Sequence, residues 1–194
     1  MKRLSPQSAP IIGCLLLLLL SLPIQAQESS ELEKISKAFL AGEQKHIHKL
    51  AEQGLDYFPK LRKLAKSSSE RAQLLRLGKI LSRQELDKRI ELDEGLIYAG
   101  QFESLLPLGE EGALALLEIF INEDLRQSLR TRAAMGIGDL RATISKDGLA
   151  LICARSHTLI NDYLSESWCA TEACYLLARL GDNSCIEKRI VEYR

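Results

Sequence analysis

Apolar residues recur along this chain at the spacing of one helix face, and nowhere do they alternate with polar ones for five residues running. That feature excludes most folds built on a sheet. Residue choice points the same way, with 37 leucines against one valine (Val191) and four threonines. β-Branched side chains suit pleated strands and lose rotamer freedom in helices, whereas leucine is a good helix former. Sixteen isoleucines soften the contrast without reversing it. The expected fold class is all-α.

The first 26 residues stand apart from this pattern. Met1-Lys2-Arg3 gives a positive start, Ile11 to Leu22 an apolar run of 12 residues, and Ile24-Gln25-Ala26 a cleavage site. At about 1.5 Å per residue such a run falls short of a bilayer core of about 30 Å. The expectation is a signal peptide over 1–26, cleaved after Ala26, with the protein exported to the periplasm or cell exterior. A retained signal anchor is the rival reading. Ile11-Ile12-Gly13-Cys14 resembles the recognition box of bacterial lipoproteins, but it precedes the run Leu15–Leu20 instead of following it. Removing the signal leaves 168 residues with a net charge of −2, one domain over 27–194 and no transmembrane segment. That balance argues against nucleic acid as a partner.

Stripes then mark the helices. Leu32, Ile35, Phe39 and Leu40 follow a capping box at Ser30 and Glu33 and stop at Gly42. Ile47, Leu50 and Ala51 form a short helix ending at Gly54, and Phe58, Leu61, Leu64 and Ala65 a third, closed by Ser67-Ser68-Ser69. Ser69 is the expected cap of a fourth, with Leu74, Leu77 and Leu81 on one face. Ser82 to Glu85 repeats the capping-box pattern, so a fresh start is expected before Leu86 and Ile90. Glu91 to Gly109, interrupted by Gly95, Gly100 and Pro107, reads as short helices or turns. Ala113, Leu116, Leu117 and Phe120 pair with Leu125, Leu129, Ala133 and Ile137. A longer helix from Leu149 to Tyr163 pairs with one carrying Cys169, Ala173, Leu176, Leu177 and Leu180. Short connections make such neighbours antiparallel hairpins.

The hairpins echo one another. Arg132-Ala133-Ala134 to Gly138-Asp139 is similar to Ala173 to Gly181-Asp182, and the two Gly-Asp pairs lie 43 residues apart. Arg71-Ala72 through Gly78, preceded by Gly54 and Phe58-Pro59-Lys60-Leu61, is an earlier copy. Periods near 40 with paired helices point to a solenoid. Together with Leu108-Gly109 and Leu116-Leu117, these segments resemble HEAT repeats of the phycobilisome-lyase-like group, with units at about 54–81, 109–140 and 145–182. The resemblance implies an α-α superhelix of antiparallel hairpins. It also implies, as an alternative function, an accessory or lyase-like protein that cradles a client polypeptide or ligand during its modification. The stretch Glu91 to Gln101 fits no repeat.

Chemistry-bearing constellations are sparse. His46 and His48 sit about 200° apart around a helix and cannot share a metal, and His157 stands alone beside Arg155. Surface or capping roles are expected for all three, with no metal and no cofactor. No nucleophile elbow, phosphate-binding glycine loop or zinc motif occurs, so no catalytic residue and no enzymatic activity are expected. Glu110-Glu111 reads as a solvated first helical turn rather than an acid–base dyad. Trp168 and Tyr175 read as packing residues. The exported protein has four cysteines. Cys153 and Cys185 both lie near the level of Cys174 across the last hairpin, while Cys169 sits on the core stripe. At most one disulfide is expected, Cys153–Cys174 or Cys174–Cys185. The alternative is four small core residues.

Charge distribution is more informative. Residues 60–89 carry ten basic and three acidic side chains, 90–125 nine acidic and no lysine or arginine, and 126–155 six basic and two acidic. Either neighbouring hairpins complement one another, or the bands read an oppositely patterned partner. The expected function is a non-enzymatic scaffold holding a protein or peptide, since repeat surfaces are extended and concave. The candidate contacts are Arg130, Arg132, Glu172 and Arg179 on second helices, with Glu110 and Glu111.

Overall fold

In the computed structural model the described residues are 30–92, 102–162 and 168–187. Residues 1–29, with Cys14 and the expected cleavage site after Ala26, lie outside them. Every regular element described is helical, and no strand occurs among these residues. The α-helices are α1 (30–40), α2 (Ile47–Ala51), α3 (Phe58–Leu64), α4 (Ser68–Leu92), α5 (Gly109–Ile121), α6 (Gln127–Asp139), α7 (Lys146–Asp162) and α8 (Trp168–Leu180), followed by one turn over 184–187. Short 3₁₀ segments at Gln44–His46, Leu55–Tyr57, Glu103–Leu108 and Arg141–Thr143 join them.

Two capping expectations need correction. Ser67, not Ser69, caps α4: its Oγ accepts the Glu70 amide at 3.2 Å, and Glu70 Oε2 accepts the Ser67 amide at 2.8 Å. The reciprocal partner decides the start, because only Ser67 has an acid three residues on. The second box, Ser82 to Glu85, starts nothing. α4 runs through it unbroken, and Ser82 is buried with its hydroxyl unpartnered among the described residues. An N-cap requires the backbone to leave helical geometry, and no glycine or proline there forces it out. Around Pro107 the described part of the unclear middle stretch is the 3₁₀ segment Glu103–Leu108.

Packing follows the stripes. α5 lies against both α4 and α6, α8 lies against α7, and second neighbours also meet: α4 with α6, α5 with α7, α6 with α8. Phe39, Phe58, Phe102 and Phe120 are fully enclosed with Leu50, Leu61, Leu74, Leu77, Leu105 and Leu116. Each such side chain contributes about 1.5–3 kcal/mol by leaving water. Midway along it, α1 is tied down by the Ser36 hydroxyl, 3.1 Å from that of Tyr57.

Arginines close the helix ends. Free carbonyls at a helix C-terminus carry partial negative charge and need donors. Arg130 Nε donates to Phe120 O at 2.8 Å, near the end of α5. Arg179 Nη1 donates to Met135 O at 2.9 Å in the last turn of α6, and Nη2 holds Asp139. Arg141 Nη1 donates to Arg179 O at 3.3 Å, near the end of α8. Gly138 makes room for one of these contacts, since a Cβ there would lie 2.7 Å from the Arg179 guanidinium carbon.

Candidate functional site: a charged cleft between α3, α4 and α5

The basic block and the acidic block meet at a cleft of about 220 Å³ lined by Arg62, Arg71, Glu110, Glu111 and Thr143. Pro59 at the start of α3 fixes its first turn, and Arg62 projects from the following one toward the entry of α5. There Arg62 Nη2 donates to Pro107 O at 3.1 Å and to Leu108 O. The backbone there has room for that guanidinium because Gly109 has φ of 58° and no Cβ in the way. Arg62 Nε stands 3.0 Å from Glu111 Oε2, but its N–H is not aimed at the carboxylate, so the contact is an ion pair and not a hydrogen bond.

Glu110 serves another helix. Its Oε2 accepts the Ser145 amide at 2.9 Å, while Ser145 Oγ accepts the Gly148 amide at 3.0 Å. A neighbouring helix thus supplies the acid that a capping box normally takes from its own third residue. The expected solvated turn is corrected accordingly: Glu110 and Glu111 do open α5, but both face protein, and the Glu111 side chain is only 13 % exposed. Elsewhere the same two blocks meet at Lys79 and Glu118, 2.8 Å apart, and Arg126 of the next basic block reaches Asp87 at 3.4 Å. Arg71 is different. It is exposed, and its side chain makes no hydrogen bond or ion pair among the described residues.

The other candidate contacts are distributed differently. Arg130 and Arg132 are 8 % and 5 % exposed. Arg130 is sandwiched between Phe120 O, the Cys169 sulfur at 3.4 Å and the Trp168 ring at 5.0 Å. Arg132 Nε is enclosed without an acceptor among the described residues. Neither offers a surface to a partner, because α6 is covered by α4, α5 and α8. Glu172 is half-buried, and burial pushes its carboxyl above the usual carboxylate range, a Trp168 hydrogen bond opposing this. Arg179 is occupied with α6. Sequence reasoning missed Arg62, Arg71 and Thr143 as cleft residues. The signal for the two arginines was the basic block itself.

At the other end, Cys174 and Cys185 form a disulfide with Cα atoms 5.6 Å apart, leaving Cys153 and Cys169 as free thiols. Of the two pairings open from the sequence, Cys185 takes the place because the backbone doubles back. Gly181 has φ of 97°, and Asp182 Oδ1 accepts the Ser184 amide at 3.0 Å, starting the turn over 184–187. Asp182 also holds His157 at 2.8 Å, so His157 is paired rather than solitary. Hydrogen bonds from Ser184 and His157 hold the Asp182 carboxyl down at about 2. Burial raises both free thiols; the charge of Asp182 raises Cys153 further, while Arg130 partly opposes the rise at Cys169. A reactive cysteine needs the opposite environment, exposed and electropositive. Among the described residues no group of histidines, cysteines and acids could hold a metal ion, and no helix is long and apolar enough to cross a membrane.

These features define an all-helical protein with a charged cleft and a disulfide-closed end. No family model matches its sequence, and no curated protein or solved structure matches it significantly.

Proposed function

We propose that this protein is an exported, non-enzymatic scaffold, a HEAT-like α-α superhelix of antiparallel hairpins whose surface holds another protein or peptide. One observation carries the reading. Four bonds between elements share nearly one separation in sequence: Lys79 with Glu118, Asp87 with Arg126, Arg130 with Cys169, and Asp139 with Arg179, at 39, 39, 39 and 40 residues, while others span different lengths, such as Glu110 with Ser145 at 35 and Arg179 with Met135 at 44. A cluster of separations near one repeat length is what stacked copies of one hairpin produce. Extended stacks bind other polypeptides along their surfaces, and export is carried by the leader at 1–26. The accessory, lyase-like alternative gains nothing from the two free thiols, since both are raised and Cys169 is 4 % exposed.

The test is capture. A photo-reactive residue at exposed Tyr175 or beside Arg71, in protein expressed with its leader, should crosslink one recurrent protein in the envelope fraction at physiological salt. Retention in the cytoplasm, or no recurrent partner from either position, would overturn the proposal.

A further inference from the structure

The charges around the cleft are unequally neutralised. Glu111 is held by Arg62, and Glu110 is turned to the Ser145 amide at the start of α7, where the helix dipole offsets part of its charge. Glu70, the acid beside Arg71 in sequence, is folded back onto the amides of Lys66 and Ser67 at 2.7 and 2.8 Å. Arg71 therefore lines the cleft with no acid of its own among the described residues. Arg62 adds its Nη1, which likewise has no acceptor there.

We infer that this cleft seats one carboxylate of a partner polypeptide, with Arg71 as its main ligand and Arg62 Nη1 as the second. The inference rests on the scaffold reading and names the chemistry that the partner presents. A planar guanidinium matches a carboxylate with two parallel hydrogen bonds. Thr143 gives its hydroxyl proton to Leu140 O at 2.8 Å, so toward the cleft it offers only an acceptor oxygen. That oxygen suits a backbone N–H of the same partner residue. At about 220 Å³ the space admits the C-terminal residue of a polypeptide or one Asp or Glu side group.

The full-length protein would be titrated calorimetrically with three acetyl-capped peptides of one uncharged sequence: free C-terminal acid, C-terminal amide, and amide with one internal Glu. Millimolar binding is expected for at least one acid peptide, weakening with added salt. Arg71→Gln should weaken it about tenfold, the loss of one charge-assisted pair. Arg76→Gln, an exposed arginine of α4 outside the cleft, should leave it unchanged. Preference for the free acid assigns a peptide terminus, and preference for the internal Glu assigns a side-chain carboxylate. Equal binding of the plain amide, equal binding by Arg71→Gln, or no binding of either acid overturns the seat. Crosslinked capture of the same partner by wild type and Arg71→Gln would overturn the seat while the scaffold reading stands.

Discussion

Replacing Arg179 by Met tests whether arginines lock neighbouring helices together. Met keeps the aliphatic stem but removes both donors, together with the guanidinium that lies over Gly138. Arg179 serves the Met135 carbonyl and the Asp139 carboxylate, whose side chain is 11 % exposed and whose Oδ2 already lacks a partner among the described residues. Losing a hydrogen bond to a charged group costs about 1.5–3 kcal/mol, and stranding one partner of a fully buried pair costs about 3–5 kcal/mol. Arg179 itself is 20 % exposed, so water can reach the vacated site, and the expected loss is about 2–4 kcal/mol. Urea unfolding followed by helical circular dichroism would measure it, with wild-type slope confirming an unchanged unfolding transition. Asp139→Asn in the Arg179→Met background should recover about 1 kcal/mol or more, because the stranded charge disappears. A loss below about 1 kcal/mol, with no recovery in the double variant, would equate the pair with a surface salt bridge and refute the reasoning.

Two further outcomes follow from the structure. Glu172 has its carboxyl raised above 4.5, so the folded state takes up protons before the unfolded one, and stability falls as pH rises through the raised value. Glu172→Gln should therefore stabilise the protein at neutral pH, with the gain vanishing below pH 4.5; a constant gain at all pH values would contradict the burial argument. Alkylation of oxidised protein in denaturant should label Cys153 and Cys169 but spare Cys174 and Cys185. Reduction should then lower stability by about 3 kcal/mol for a loop closed across 11 residues, whereas labelling of Cys174 without reductant would rule the bridge out.

What the sequence disclosed depended on how far apart the interacting residues lie. Stripes such as Leu74, Leu77 and Leu81 are local, and α4 to α8 appear where they mark them. Local capping is legible too: the reciprocal pair Ser67 and Glu70 is a stronger signal than Ser69, the serine nearest the stripe. Ser82 misled because a capping motif is permissive and cannot break a helix that nothing else interrupts. The cleft was half legible. Its opposite charge blocks could be counted, but not that Glu111 would meet Arg62 or that Glu110 would cap α7. Those partners are separated by 35 to 49 residues, and only the packing of the hairpins brings them together. For the same reason Arg130 and Arg132, polar by composition, read as surface residues and lie buried. The choice of Cys185 over Cys153 turned on Gly181 and Asp182 reversing the backbone, which spacing along a helix does not encode.

Stacking of hairpins about one repeat length apart is the central claim, and zero-length carbodiimide crosslinking with peptide mass spectrometry tests it most directly. Lys37 and Glu33, four residues apart at 2.6 Å, serve as the internal control for reactivity. The account predicts a Lys79–Glu118 product across 39 residues, formed within one molecule at low protein concentration. Recovery of the Lys37–Glu33 product with Lys79 joined instead to acids outside α5 would contradict it.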